Sequence, residues 1–173
     1  KVGNQSPDWM MGWTNNFSYK GFELSIMLSG SQGGEIMNQQ ARFTKIFNNN
    51  RNAYKSVANF WRSDENPGDG STFKPRVVQN TVQAQSSTYW VEDGSFVRIK
   101  NIRLGYNFPS SILRKCRLTN LKLYVNMENI HVFSDYPNFD PESSTYQSGY
   151  LVGYDYGAYP NPFTATVGIN LSF

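Results

Sequence analysis

The chain has 173 residues, a formal net charge of +3 and a single cysteine, Cys116, so an internal disulfide and a cluster of thiolate metal ligands are both excluded. Aromatic residues make up 16% of the sequence and charged residues 17%, a balance that excludes a disordered chain and is typical of alternating strands joined by polar loops. The small net charge, without a run of lysine or arginine, argues against a nucleic-acid partner. No apolar run approaches the roughly 20 residues of a membrane-spanning helix, and no secretory leader opens the sequence.

The first two predicted strands form a hairpin. Between Asp8 and Lys20, with Asn15 as the exception, apolar side chains occupy alternate positions: Trp9, Met11, Trp13, Phe17 and Tyr19. Lys20-Gly21 has the composition of a tight turn, and the alternation resumes after it at Phe22, Leu24, Ile26 and Leu28. We expect strands over about 8–20 and 22–30, joined by this turn.

A long connection over about 31–94 follows the hairpin. Its stretch from Gln40 to Trp61 lacks glycine and proline and carries apolar residues at helical spacing, which predicts one or two short helices broken near Asn48–Asn50. Connections of this length are uncommon in compact domains and are usually functional.

Two further strands are predicted over about 95–108 and 120–133. In the first, the apolar row at Val97 and Ile99 resumes one residue out of step at Ile102, as a β-bulge near Lys100-Asn101 would produce. The bulge leaves three basic side chains on the polar face: Arg98, Lys100 and Arg103. The short connection between these strands is expected to contain a helical turn over Ile112–Leu118.

A second long loop over about 134–162 precedes the last predicted strand, 163–173. This strand alternates without a miss between apolar and small or polar side chains. At roughly 3.3 Å per residue it is longer than most soluble strands and fits the about 9–11 residues of a tilted membrane-crossing strand. Its ending is similar to the carboxyl-terminal signal by which bacterial outer-membrane barrels are recognised for assembly, carried here by Thr166, Gly168, Leu171 and Phe173.

Short and long connections alternate along this sheet. Outer-membrane barrels have short periplasmic turns and long extracellular loops, so the pattern predicts an all-β, antiparallel transmembrane barrel segment with its loops at 31–94 and 134–162 outside the cell. Five strands are too few to close a barrel, and their open edges would aggregate. We therefore expect the rest of a barrel, and any export signal, upstream of this sequence.

Six sequence blocks resemble, in the same order, the carboxyl-terminal end of the SusC/RagA family, the TonB-dependent outer-membrane transporters of Bacteroides-type bacteria. They are Gly3–Trp9, Tyr19–Ser25, Gly94–Tyr106, Leu123–Asn129, Tyr136–Glu142 and Tyr159–Phe163. Together they cover nearly the whole chain. The block over Ser95–Tyr106, the Tyr-Pro-x-Phe-Asp-Pro-Glu loop and the terminal Phe173 are its specific part.

The resemblance implies a barrel of about 22 strands, plugged by an amino-terminal domain, in the bacterial outer membrane. This chain would supply roughly the last five strands, in contact with lipid, without the plug. Family members import oligosaccharides or peptides, pair with a SusD-like surface lipoprotein that forms a lid, and draw energy from the TonB complex. On this interpretation the chain is neither an enzyme nor the holder of a cofactor.

Candidate functional residues follow from this interpretation. The basic residues Arg98, Lys100 and Arg103 would face the lumen and pair either with acidic groups of the plug or with neighbouring strands. Aromatic residues of the second long loop are candidates for contact with substrate or lid, with loop packing and a rim girdle as the simpler explanation for most of them. These residues are Tyr136, Phe139, Tyr146, Tyr150, Tyr154 and Tyr156.

Other chemistry finds little support in the sequence. His131 and Cys116 are single and lack catalytic partners, so a structural or inert role is expected for both. Four carboxylates share the second long loop, but their spacing matches no calcium loop and bracing of the loop is preferred: Asp135, Asp140, Glu142 and Asp155. The alternative to the barrel is a soluble extracellular β-sandwich that binds carbohydrate through exposed tyrosines; the alternation of loop lengths and Phe173 favour the barrel.

Overall fold

The computed structural model describes residues 3–45, 52–59, 63–68, 87–142, 145 and 153–173. In these residues the strands are β1 (Pro7–Tyr19), β2 (Phe22–Gly33), β3 (Glu35–Asn38), β4 (Val91–Asp93), β5 (Phe96–Asn107), β6 (Asn120–Phe133), β7 (Tyr154–Asp155) and β8 (Thr164–Ser172), and the α-helices are α1 (Gln39–Thr44) and α2 (Ser110–Cys116). The long strands form one sheet in the order β1-β2-β5-β6-β8, and the short ones form a second sheet in the order β4-β3-β7. Every neighbouring pair in the long sheet is antiparallel.

The predicted hairpin is confirmed. Tyr19 pairs with Phe22, and the turn residues Lys20 and Gly21 have φ values of 46° and 92°. Two positive φ angles in a two-residue turn match the right-handed twist of the flanking strands. The other short connection contains the predicted helical turn as α2. Arg117, which follows the helix, caps it with a φ of 55°, and Leu118 N donates a hydrogen bond of 3.0 Å to Leu113 O.

The predicted bulge in β5 is also confirmed, and it has a counterpart in β6. Leu28 pairs with Ile99 and Met27 with Asn101, so Lys100 is an extra residue on β5. On the other side of β5 the pairing passes from His131 to Glu128, so two residues of β6, Asn129 and Ile130, stand opposite the single Lys100. Asn129 adopts a φ of 51°, and its side-chain amide donates to the carbonyl of Pro162 at 3.1 Å.

The long sheet has one apolar and one polar face. The cross-strand rows of the apolar face include Trp13–Leu28–Ile99, Phe17–Leu24–Leu104–Val125–Val167 and Phe22–Tyr106–Leu123–Ile169. Many of these side chains are open to solvent in the isolated chain: Trp13 is 57% exposed, Phe17 58% and Val167 77%. The exposed apolar surface therefore runs across all the long strands.

The two long connections form a separate compact layer at one end of the long sheet. We call this layer the cap and define it as residues 34–45, 87–95, 134–142 and 153–162. Its buried apolar side chains are Ile36, Ala41, Trp90 and Tyr136. The strands β3, β4 and β7 were not predicted from the sequence; they have two to four residues each, too few for a period of two to be recognised.

The second strand differs from its prediction at the cap end. It continues to Gly33 rather than ending at Gly30, because Gln32 and Gly33 find ladder partners in Trp9 and Pro7 of β1 and Ser31 pairs with Phe96 of β5. The predicted helices correspond to α1, capped by the Asn38 side chain, and to a 3-10 turn at Lys55–Asn59. Their predicted break at 48–50 lies outside the described residues, and no helix among the described residues is long and apolar enough to cross a membrane.

Candidate functional site

A buried ion pair joins the cap to the polar face of the long sheet. The Arg98 guanidinium on β5 donates to Oδ1 of Asp140, and the two side chains are only 3% and 2% exposed. Arg98 shares its strand with the apolar-face residues Val97 and Ile99, so the alternation turns it to the opposite, polar face. The cap segment that carries Asp140 therefore lies over the polar face.

Asp140 is satisfied by donors from three segments. Besides Arg98, its Oδ1 accepts the backbone N–H of Glu142 at 3.0 Å. Its Oδ2 accepts the backbone N–H of Asn161 at 3.1 Å and the side-chain amide of the same residue at 3.0 Å. A buried carboxylate with this many donors is compensated for its lost hydration and brings the start and the end of the loop together.

Glu142 extends the ion pair toward solvent. Its Oε1 lies 3.3 Å from Lys100 Nζ and its Oε2 lies 3.2 Å from Arg98 Nε. The Arg98 Nε–H is not aligned with Glu142 and remains without a hydrogen bond, so this contact is an electrostatic attraction only. The side chains of Lys100 and Glu142 are 41% and 36% exposed, so their pairing is the weaker, screened part of the arrangement.

A second polar network holds the cap together internally. Tyr136 donates its hydroxyl to Oδ2 of Asp155 at 2.6 Å. The amide of Asn138 donates to the same oxygen and to Oδ1 of Asn38, each at 2.8 Å. Asn38 Oδ1 also accepts the backbone N–H of Ala41 and so caps the start of α1. The network thus connects the first long connection to the second.

The environment of this network shifts the pKa values of Tyr136 and Asp155. Burial, the hydrogen bond to Asp155 and the negative charge of that carboxylate raise the pKa of Tyr136 far above its ordinary value. For Asp155, burial alone would raise the pKa, but the hydrogen bonds from Tyr136, from Asn138 and from the backbone of Ala158 and Gly157 outweigh it and lower the pKa. Tyr136 is therefore neutral and Asp155 charged at neutral pH.

Backbone pairing links the same two connections. β3 pairs with β7 in parallel, Met37 opposite Tyr154 and Asn38 opposite Asp155. The other edge of β3 pairs with β4 in an antiparallel ladder. The cap is therefore one folded unit, not two independent loops.

Toward the other end of the polar face, a tyrosine lies across a glycine. Tyr124 on β6 is paired with Gly168 on β8, and a Cβ at Gly168 would overlap the Tyr124 ring. The Arg103 guanidinium stands 4.5 Å from the centre of the same ring. Nearby, Lys122 pairs with Glu23, which also accepts from Asn107 at 2.6 Å.

The basic residues predicted on the polar face fall into two classes. Arg98 and Lys100 have their carboxylate partners within this chain, at Asp140 and Glu142. Arg103 contacts the Tyr124 ring and forms no salt bridge among the described residues, and Glu23 attracts it only at longer range. A sequence signal for the first class exists: Arg98-x-Lys100 and Asp140-x-Glu142 share the same spacing with opposite charge.

The aromatic candidates of the second long loop are similarly divided. Tyr136 is 7% exposed and occupied by the cap network, which favours the packing interpretation for it. Phe139 is 68% exposed, Tyr156 is 42% exposed, and Tyr154 is half-buried in β7. Tyr146 and Tyr150 lie outside the described residues.

The remaining candidates occupy simple positions. His131 lies on the apolar face, where its ring contacts Phe133 edge-on at 4.5 Å, and Cys116 is an exposed thiol at the end of α2. Among the described residues no group of His, Cys, Asp and Glu side chains is arranged to hold a metal ion. Thr166 and Gly168 lie on the polar face of β8, whereas Leu171 pairs with Leu121 on the apolar face and Phe173 is 98% exposed.

The chain is similar in sequence to several TonB-dependent receptors. TonB-dependent receptor P3 of Formosa agariphila is 35% identical over 177 residues, covering 99% of this chain and 17% of the receptor. TonB-dependent receptor SusC of Bacteroides thetaiotaomicron is 26% identical over 175 residues, covering 96% of this chain and 15% of that protein. No protein-family model matches the chain.

The solved structures that resemble the chain include that of the RagAB peptide transporter, with a TM-score of 0.80 and 26% identity over 97% of this chain and 17% of that one. The RagAB peptide importer in its open-open state gives a TM-score of 0.78 over the same shares. The chain thus spans about one sixth of the length of the proteins it matches.

Proposed function

Because this chain is a segment of a TonB-dependent receptor of the SusC/RagA family, we propose that it forms the last part of the wall of an outer-membrane nutrient transporter. The five long strands cross the membrane, with the apolar face toward lipid and the polar face toward the lumen. The short turns then lie in the periplasm and the cap lies outside the cell.

The two-faced sheet is the observation that carries this proposal. Its apolar side chains form continuous cross-strand rows that no other described element covers, whereas Arg98, on the polar face, is covered by the cap. Water on the apolar face would be unfavourable in proportion to the apolar area, and lipid removes that cost. The β-sandwich alternative requires a second sheet against this face, and among the described residues the second sheet belongs to the cap instead.

The whole transporter has further parts and partners. The edges of the sheet at β1 and β8 pair with the rest of the barrel, and a plug domain occupies the lumen. The cap faces a SusD-like surface lipoprotein, and the TonB complex acts through the amino-terminal part. Oligosaccharides or peptides are the proposed substrates; the similarity to RagAB, a peptide transporter, supports the second class.

Within this arrangement the candidate residues take different roles. Arg103, which forms no salt bridge among the described residues, is the best placed of the three basic residues to pair with the plug. Phe139 and Tyr156, exposed on the cap, are the best placed described aromatic residues for contact with substrate or lipoprotein. Thr166, Gly168, Leu171 and Phe173 form the proposed assembly signal, and Trp9, Trp13 and Tyr19 the interfacial belts.

Lipid contact of the apolar face tests the proposal directly. In a full-length transporter whose native cysteines, Cys116 among them, are replaced by serine, a fluorophore is attached to a single cysteine at Val167 or, as the matched control, at its neighbour Thr166. Lipids brominated on their acyl chains should quench the label at Val167 strongly and the label at Thr166 weakly. Equal quenching at both positions, or recovery of the protein outside the outer-membrane fraction, would overturn the proposal.

A further inference from the structure

The polar face contains a groove where the paired irregularities of β5 and β6 meet the cap. It is lined by Met27, Lys100, Asn101, Glu128, Asn129, Glu142 and Asn161. Lys100, the extra residue of β5 relative to β2, lies opposite the two β6 residues Asn129 and Ile130. Bulges recur beside binding sites because they redirect side chains and interrupt the ladder.

The groove has fixed walls. On the cap side, Glu142 follows Asp140, which is held by the buried Arg98. On the strand side, Asn129 adopts a φ of 51° and is bound to the carbonyl of Pro162 at 3.1 Å. A left-handed backbone conformation at a non-glycine residue costs conformational free energy, which the contacts around Asn129 have to offset. Such residues are frequent at ligand sites.

The charges around the groove do not cancel. Arg98 offsets Asp140, and Lys100 at 3.3 Å offsets Glu142. The exposed Glu128 carboxylate accepts a hydrogen bond from the amide of Asn126 at 2.9 Å and has no cationic partner among the described residues. The amide of Asn126 is itself oriented by this contact, while its oxygen accepts from Asn101 at 2.9 Å.

The lining also favours one ligand chemistry over another. No aromatic ring lines the groove within the part of the chain that the structure describes, so a stacking platform for the face of a sugar ring is missing there. Carboxylates and amide oxygens are instead the acceptors that a primary ammonium group needs, because it has three donors and no acceptor.

From these observations we infer that the groove is a binding subsite for a primary amine of the ligand, with Glu128 as the residue that determines this specificity. The inference rests on the proposed function, which makes the polar face the lumenal one. A lysine side chain and the amino group of an amino sugar present the same ammonium chemistry, so both are used as probes.

The test uses the full-length transporter, purified in detergent, and two matched pairs of probes. One pair is the tripeptide Ala-Lys-Ala with blocked termini and its Nε-acetyl form; the other is a trimer of glucosamine and its fully N-acetylated form. In at least one pair we expect the amine form to bind roughly fivefold more tightly than the acetylated form, the upper range for a solvent-exposed ion pair. The pair that shows the preference identifies the source of the amine.

Glu128→Gln, which keeps the shape and an acceptor for Asn126, should abolish the preference. The control Glu65→Gln, at an exposed residue that does not line the groove, should retain it. On the unmodified protein, the preference should also fall between 50 mM and 1 M NaCl because salt screens the ion pair. Equal binding within both pairs, no binding of any of the four probes, a preference that survives Glu128→Gln, or one that is unchanged by salt would overturn the inference. The quenching of a label at Val167 by brominated lipid is a separate measurement. If the groove shows no preference for amines, the assignment of the chain to a transporter wall still depends on that quenching result alone.

Discussion

The Tyr124 ring lies across the backbone of Gly168 on the neighbouring strand, leaving no space for a side chain at that position. Gly168 is also part of the carboxyl-terminal pattern that the sequence suggests as an assembly signal. The structure gives the glycine a packing reason, since the ring that covers it also carries the Arg103 guanidinium at 4.5 Å.

Replacing this glycine should destabilise the sheet. Gly168→Ala would place a methyl group inside the Tyr124 ring, and overpacking of this kind costs about 1–3 kcal/mol. The matched control is Gly12→Ala on β1, where an added Cβ meets nothing within 4 Å. Urea unfolding of the full-length barrel in lipid vesicles should show the loss for Gly168→Ala only. In a Tyr124→Ala background the loss should shrink; an equal loss there would show that the ring is not its cause.

The ion pair between Arg98 and Asp140 should control the local stability of the cap. Asp140→Asn keeps the shape but removes the negative charge that compensates the buried Arg98 guanidinium, and breaking a buried pair costs about 3–5 kcal/mol. Hydrogen exchange in residues 134–142 and 153–162 should accelerate accordingly in the full-length protein. Glu142→Gln is the control, expected to cost about 0–1 kcal/mol because that pair is partly exposed. Similar acceleration in the two variants would contradict the assignment.

The cap should loosen in acid and not in mild alkali. The lowered pKa of Asp155 means that its stabilisation is complete above its ordinary value of 3.8 and is lost as the pH falls through the lowered value. The raised pKa of Tyr136 means that its contribution is complete below pH 10.0 and is lost only as the pH rises through the raised value. Exchange rates of the cap amides, corrected for intrinsic pH dependence, should therefore show no loosening between pH 5 and 9.

Tyr136→Phe tests the same coupling. Without the hydroxyl, Asp155 loses one of the hydrogen bonds that lower its pKa, so acid loosening should begin at a higher pH. The control is Tyr54→Phe, at an exposed side chain outside the cap. An unchanged onset in Tyr136→Phe would show that the acid transition has another origin.

Arginine substitutions on β8 should distinguish the two faces. Val167→Arg on the apolar face should destabilise the barrel by about 2–4 kcal/mol if the position lies near the bilayer midplane. Thr166→Arg, one residue away, points to the polar face and should cost much less. Unfolding midpoints in vesicles measure both variants, and an equal loss in the two would argue against lipid on the apolar face.

The long strands could be predicted because their residues follow a period of two over many positions, and the bulge because a single slip in that period is visible between Ile99 and Ile102. The small sheet could not be predicted in this way. Met37 and Tyr154 lie in strands of four and two residues, and their pairing depends on contacts between distant parts of the chain.

The partner of Arg98 illustrates a different limit. Alternation predicts the face on which this residue lies, but it carries no information about what covers that face. The family resemblance offers the plug as a source of a carboxylate, whereas the structure provides one in Asp140 of the same chain. The shared spacing of the two charge pairs is a signal that strand periodicity ignores, because Asp140 and Glu142 lie outside any strand.

The parallel pairing of β3 with β7 has a consequence for how such proteins change over time. Of the three strands of the small sheet, β3 and β4 come from the first long connection and β7 from the second, and the side chains of Asn38 and Asn138 meet across that division. A substitution or graft confined to one connection would leave unpaired backbone in the other. The two connections therefore fold as one unit, and we expect an exchange of both together between related proteins to preserve the cap and an exchange of one alone to disrupt it.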